Sequence, residues 1–264
     1  MRIWSGIVSV SLLCAAVLGI WLNPAVGCVQ SVPAASQARL DPSDAGSTPP
    51  VMDNMIFGHV LFDQLEGRTN GPDNEFRWDG KGWVGSDMNK LWFKSEGFIE
   101  HGKATDGDTE ALYDRPIPFL RYFDAQAGVR YDLDSNPGRT WGAIGIEGLA
   151  PYFFEFAPTF YFSNRGRFAA KITGSYDVLI TQRLIVQPQI EMNFYSKRDP
   201  SRGIGSGLSD LDTGLRIRYE ISRKFAPYIG FAYTQTFGET ATFTQDEGGI
   251  VHDPRFIFGV RVWY

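Results

Sequence analysis

Apolar and polar residues alternate with a period of two through most of the chain from about residue 56 to its end. This is the pattern of strands with one apolar face. In 123–131, Phe123, Ala125, Ala127, Val129 and Tyr131 share one face, and Asp124, Gln126, Gly128 and Arg130 share the other. In 184–194, Leu184, Val186, Pro188, Ile190, Met192 and Phe194 oppose Arg183, Gln187, Gln189, Glu191 and Asn193. In 211–219, Leu211, Thr213, Leu215, Ile217 and Tyr219 oppose Asp210, Asp212, Arg216 and Arg218. The last nine residues, FIFGVRVWY, put Phe256, Phe258, Val260, Val262 and Tyr264 on one side and Ile257, Gly259, Arg261 and Trp263 on the other. The pattern predicts strands near 56–66, 74–84, 89–98, 108–115, 122–132, 139–148, 152–162, 167–177, 183–195, 208–219, 225–237 and 255–264. Pro188 sits mid-strand and predicts a bulge or a ladder position that needs no N–H.

The connections add a second rhythm. Counting back from the C-terminus, 238–254 is long, 220–224 short, 196–207 long and 178–182 short. Further back come a modest 163–166, a very short 149–151, a longer 133–138, a Pro-bounded 116–121, a long polar 99–107 and a short 85–88. Only 163–166 fits the alternation poorly. Alternate long and short connections between about twelve amphipathic strands, with polar faces of both charge signs, predict an all-β fold. The fold expected is a transmembrane antiparallel outer-membrane β-barrel with lipid outside and a charged interior. A soluble lectin-like or lipocalin-like sheet is the competing arrangement and gives no reason for this loop rhythm.

Composition sharpens the picture in three places. The net charge is −5, without the clustered basic face of a nucleic-acid binder. Residues 1–27 carry Arg2, an apolar run from about Ile7 to Leu22, and Ala25-Val26-Gly27, which reads as a secretory signal peptide with a small-x-small cleavage site. An uncleaved anchor is the alternative, but the run is short against the roughly 20 residues of a spanning helix. Residues 28–51, rich in Ser, Pro, Ala and Asp, predict a disordered periplasmic tether ahead of a barrel over 52–264. Cys14 leaves with the signal, so Cys28 has no partner for a disulfide; its place after the cleavage site also resembles a lipidation box, though Ala25 stands where such boxes carry Leu.

Longer phrases carry a family likeness. FGHVLFDQLEGR (57–68), WDGKGWVGSDMNKLWFKSEG (78–97), DAQAGVRYD (124–132), GIEGLAPYFFE (145–155), YDVLITQRLIVQPQIE (176–191) and GIGSGLSDLDTGLRIRYEISRKFAPYIGF (203–231) resemble the copper resistance protein B family (CopB). The resemblance covers nearly all of 52–264 and is co-linear. It implies a Gram-negative outer-membrane protein of copper tolerance, handling periplasmic copper by export or sequestration. It also implies transient copper ions as cargo, outer-membrane lipid, and periplasmic copper-handling proteins as partners. The alternative is a structural or small-solute barrel without a copper site of its own. Members of that family carry a Met- and His-rich segment ahead of the barrel, and residues 29–51 here have neither residue type.

The candidate metal ligands are therefore Met52, Met55 and His59, spaced by three and four, which a loop or short helix could gather. Thioethers suit Cu(I), and imidazole suits either copper oxidation state. Equally, the Met residues could cover the barrel mouth while His59 simply faces the lumen. Met88 is a weaker candidate on the same side, and His101 and His252 are expected in outer loops. The inward ionisable groups Asp124, Arg130, Glu191, Asp210, Asp212, Arg216, Arg218 and Arg261 are expected to plug the lumen in a mixed-sign network; a cation path is the alternative, disfavoured by the equal share of Arg. Catalysis is not expected. The run GIGSG at 203–207 has Gly205, not a Ser, at its centre, so it departs from the G-x-S-x-G pattern, and no His lies near Ser206, Ser209 or Asp210 in sequence.

Overall fold

The computed structural model describes residues 55–264, apart from 72, 101, 134–137 and 164–165. The expected signal peptide, tether and Met52 lie outside the described residues, as does His101. The strands are β1 (Phe57–Thr69), β2 (Asn74–Gly85), β3 (Lys90–Glu100), β4 (Lys103–Pro116), β5 (Phe123–Asp132) and β6 (Arg139–Ala150). Then come β7 (Phe154–Phe162), β8 (Phe168–Ser175), the two-residue β9 (Val178–Leu179), β10 (Leu184–Tyr195), β11 (Gly207–Tyr219), β12 (Phe225–Thr236) and β13 (His252–Trp263). Each long strand pairs antiparallel with its neighbours, β8 with β10, and β13 closes on β1. The result is a closed twelve-strand barrel, with β9 a short extension alongside β10. No helix among the described residues is long and apolar enough to cross a membrane; the wall is made of strands.

The predicted alternation sorts the side chains. Phe93, Val129, Ile144, Phe160, Phe231 and Phe258 stand exposed on the outer wall, while Glu66, Arg68, Arg77 and Arg218 are buried inside. A surface of that kind is matched to hydrocarbon, and strands of roughly ten residues or more, once tilted, span it. On β13, Phe256 and Phe258 face out and Ile257 is fully buried, as read from the sequence.

Three local departures have physical causes. In β1 the register to β2 jumps from Phe62↔Gly80 to Gln64↔Asp79, a β-bulge. Two consecutive residues thereby reach the lumen: Asp63 takes a 2.6 Å hydrogen bond from Arg261, and Gln64 donates to Gln189 at 2.8 Å. The long polar loop expected at 99–107 is mostly strand, because β3 runs to Glu100 and β4 starts at Lys103. KATDGD at 103–108 is polar on both faces, so its strand state leaves no alternation to read. Finally, Pro188 occupies the gap where β10 changes partner, between pairing with β9 at Val186 and with β8 at Gln189. Its carbonyl accepts from Tyr176 N at 3.1 Å on that side, so its missing N–H faces the interruption.

The two ends of the barrel differ. One carries the start of β1, the end of β13 and the connections 86–89, 117–122, 151–153, 176–183 and 220–224. The other carries 196–206 and the 237–251 connection, which holds a helix, α1 (Gly238–Asp246). Thr240 of α1 is buried; its hydroxyl accepts from Gly205 N at 2.8 Å and lies 3.0 Å from Ser209 Oγ. A Cβ at Gly205 would come within 2.6 Å of Thr240 N, so this contact requires glycine.

The lumen supplies the first prediction. Arg216 holds Glu66 through its Nε and Nη2 at 3.0 and 2.9 Å, with both residues buried. Arg216→Ala is expected to cost about 3 kcal/mol, because it leaves a buried carboxylate short of its partner. Adding Glu66→Gln should recover part of that loss. Urea unfolding of the refolded barrel in detergent checks both; equal stability of wild type and Arg216→Ala would mean the pair is idle.

Candidate functional site: the lumen and its two mouths

A twelve-strand wall lies between eight-strand barrels, whose interior is just filled by side chains, and porins of sixteen or more strands, which leave a water channel. Whether this lumen is open therefore depends on how far its side chains reach. Here they meet across it. Arg77 on β2 donates to Glu191 on β10 at 2.9 Å, though these strands are five steps apart round the wall (β2–β1–β13–β12–β11–β10). Lys171 on β8 pairs with Glu96 on β3, again five steps apart, and with Glu191 at 3.3 Å.

The same belt continues through Asp212, which accepts from Arg77 and, at 3.0 Å, from Arg68. Arg68 in turn holds Glu66 at 2.8 Å, and Glu66 also accepts from Tyr228 at 2.9 Å. The guanidinium carbons of Arg68 and Arg77 sit 5.2 and 5.1 Å from the centre of the Phe98 ring. Between Arg77, Glu96, Asp108, Arg130 and Lys171 there remains a cavity of about 30 Å³. That is room for a water or two, not for a solute.

At the helix end a second layer covers the belt. Arg130 ties Asp108 at 3.0 Å and Asp132 at 2.9 Å, and Asp132 also accepts from Trp141 at 2.8 Å and Arg202 at 2.7 Å. Outside the strands of the wall, Asp199 in the 196–206 connection gathers Ser201 at 2.6 Å, Arg139 at 2.7 Å and Arg167. Burial pushes the Asp199 carboxyl up, but these three donors outweigh it and hold the group at about 2.

The terminus end is more open. Arg218 reaches Asp177 at 2.8 Å, Lys90 reaches Asp124 at 3.0 Å, and Lys94 reaches Glu147 at 2.6 Å. A cavity of about 260 Å³ lies beside them, lined among others by Trp92, Asp114, Asp124, Gln126 and Glu147. Carboxylates and lysines there neutralise one another, and no group of three His, Cys, Asp or Glu among the described residues is arranged to hold a metal ion.

His59 faces this mouth from β1, directly across the ladder from Trp83, with its ring 5.6 Å from that of Trp263. Met55, ahead of β1, is exposed. Residues 57–59 are extended rather than helical, so His59 is held by the wall while Met55 stands free of it. Met88 is exposed in the 86–89 connection at the same end. His252 opens β13 rather than lying in a loop, and its Nδ1 is 3.0 Å from Tyr233 Oη. Ser209 is buried against Thr240, and Asp210 accepts from Asn193 at 2.8 Å.

Residues 56–264 match the family described as Copper resistance protein B precursor (CopB). The chain belongs to the copper resistance protein B family. Copper resistance protein B of Escherichia coli is 42% identical over 214 residues, covering 81% of this chain and 72% of that protein. The Copper resistance protein B homolog of Pseudomonas syringae pv. tomato is 36% identical over the same shares. Among solved structures, the NanC porin aligns over 78% of this chain and 99% of its own at 14% identity and a TM-score of 0.49. The KdgM porin aligns over 77% and 98%, at 12% identity and a TM-score of 0.43. Closure of this CopB-family barrel is seen in its own strand pairing.

All eight inward charges named from the sequence lie in the network, but their partners come from elsewhere. Asp212 pairs with Arg68 and Arg77, Arg216 with Glu66, Arg218 with Asp177, and Arg261 with Asp63. Most of the partners missed lie on β1 to β3, with Asp108 on β4, Lys171 on β8 and Asp177 after β8. The charged spacing of DQLEGR at 63–68 was the available signal, hidden by the bulge within it.

The Asp199 hub gives a pH prediction. Its folded-state value lies below the ordinary aspartate value of about 4. Its stabilisation is therefore fully present above about pH 4 and lost as pH falls through about 2. Melting followed by near-UV circular dichroism should place Asp199→Asn below wild type by a constant gap from pH 8 to about pH 4. The gap should close towards pH 2. A gap that persists unchanged at pH 2 would show that the carboxylate charge is not what the three donors hold.

Proposed function

We propose that this chain acts in copper resistance as an outer-membrane protein that holds or hands over periplasmic copper at the terminus end of a side-chain-filled barrel. Family membership supports the role in copper resistance, and the lipid-matched wall supports the outer membrane. In that placement the termini and the short connections face the periplasm, and α1 and the 196–206 connection face outward.

The observation that carries the reading is the pair of ion bridges that meet across the lumen, Arg77–Glu191 and Lys171–Glu96. A cation entering this lumen would have to break them, and copper would lose its hydration with no cluster of metal ligands along the way among the described residues. Handling at the mouth, by sequestration or transfer, needs neither step. The candidate ligands remain Met52, Met55 and His59. His59 is the fixed member, held in β1, and the two thioethers would join it there. Two thioethers and one imidazole favour Cu(I) and leave a coordination position for a donor protein's ligand.

The test is the Met52→Ala, Met55→Ala, His59→Ala variant, compared with wild type at matched barrel levels. Loss of Cu(I) binding in detergent, together with reduced copper tolerance in cells, is expected. Unchanged binding and tolerance would remove the cluster from the function.

A further inference from the structure

The larger cavity, at the terminus end, has a polar lining that the ion network leaves incompletely paired. Asp114 on β4 faces Gln126 on β5 across the ladder, and one step nearer the rim Asp124 on β5 faces Glu147 on β6. All four line the cavity. Three carboxylates thus share one small surface, and two lysines reach them. Lys94 holds Glu147 at 2.6 Å, while Lys90 holds Asp124 at 3.0 Å and stands 3.7 Å from Asp114. Asp114 is 1% exposed; its Oδ2 accepts from Gln126 at 3.0 Å, but its Oδ1 accepts no hydrogen bond. A buried charged acceptor in that state is costly unless something donates to it.

The cavity has one more cation, on the side of the rim. Arg121 lines it from the 117–122 connection, is exposed, and makes no ion pair among the described residues. That connection is fastened in place: Leu149 N donates to Tyr122 O at 2.9 Å, and Ile117 N to Phe123 O at 3.0 Å. A Cβ at Gly148 would come 2.0 Å from Tyr122 O, so only glycine lets the connection lie against β6 there. On the other side of Asp114, one ladder step further in, is Trp92, whose Nε1–H is buried without an acceptor. From the rim inward the cavity offers a free guanidinium, then a carboxylate set one cation short, then an indole donor. Its charges balance, three carboxylates against Lys90, Lys94 and Arg121, so neither a plain anion nor a plain cation is favoured. A small molecule that carries both charges a short distance apart matches the order in which they lie.

We propose that this cavity binds a free α-amino acid with a polar side chain. The α-carboxylate pairs with Arg121. The α-ammonium enters among Asp114, Asp124 and Glu147 and supplies the donor that Asp114 Oδ1 lacks, and the side chain extends towards Trp92. Both ionic contacts are charge-assisted hydrogen bonds, the stronger kind. A volume of about 260 Å³ lies below that of pockets for drug-sized ligands and suits one molecule of this size. A bare metal ion fits less well, since among the described residues no three His, Cys, Asp or Glu are arranged to hold one. The site is separate from the copper reading and can stand or fail without it.

The test is saturation-transfer difference NMR on the refolded barrel in a non-ionic detergent, titrated with L-glutamine. The comparison probes are 4-aminobutanamide, which lacks the α-carboxylate, glutaramate, which lacks the α-ammonium, and glucose, an uncharged polyol. Wild type should bind L-glutamine about tenfold more tightly than either charged analogue, the worth of one charge-assisted hydrogen bond, and glucose more weakly still. Arg121→Gln should lower the affinity for L-glutamine about tenfold and leave that for 4-aminobutanamide unchanged. Asp114→Asn should likewise weaken L-glutamine but leave glutaramate unchanged. Arg121 is exposed, so its variant keeps the test in force should Asp114→Asn fail to fold. No saturation transfer to L-glutamine, glucose bound as tightly as L-glutamine, or an Arg121→Gln protein indistinguishable from wild type would each overturn the site. A folded Asp114→Asn protein with undiminished L-glutamine binding would overturn the placing of the ammonium.

Discussion

Everything inside this barrel depends on charges satisfying one another across a lumen too wide to be filled from one wall. Twelve strands enclose more space than short side chains can occupy, so the interior is filled by the longest polar ones available. Arg68, Arg77, Arg216 and Lys171 reach inward, and Glu66, Glu96, Glu191 and Asp212 meet them. Each cation touches carboxylates on other strands, so the network ties distant parts of the wall together as well as blocking the path between them. Such groups are costly to bury singly and tolerable only as a connected set.

How much of this can be read in the chain follows from what repeats along it. Strand alternation is local, so the wall, its twelve long strands and the outward-facing apolar residues of β5, β10, β11 and β13 are legible in the sequence. Cross-lumen pairing is not local. Nothing in PQIEMN or FRWDGK tells that Arg77 will meet Glu191 rather than a neighbour on its own hairpin. Alternation also fails where the environment stops being two-sided. The bulge at Phe62–Leu65 shifts the phase and hides Gln64, Glu66 and Arg68, and the doubly polar start of β4 reads as loop. The α1 helix was unreadable for a related reason: it has no apolar stripe, and it is anchored by Thr240 through hydrogen bonds.

The candidate site divides in the same way. His59 is placed by the ladder against Trp83 and Trp263, whereas its proposed thioether partners precede the wall and owe nothing to it. The helix end is closed differently, by the Asp132 and Asp199 hubs and by α1, which makes the two ends chemically unlike.

The central claim is that the cross-lumen ion pairs close the barrel to ions at rest. Planar-bilayer recording of the purified protein tests it most directly. Wild type should give no steady conductance above the bare bilayer, while Arg77→Ala with Lys171→Ala, which removes both cross-lumen bridges, should give resolvable steps. Stable channel steps from wild-type protein would contradict the account.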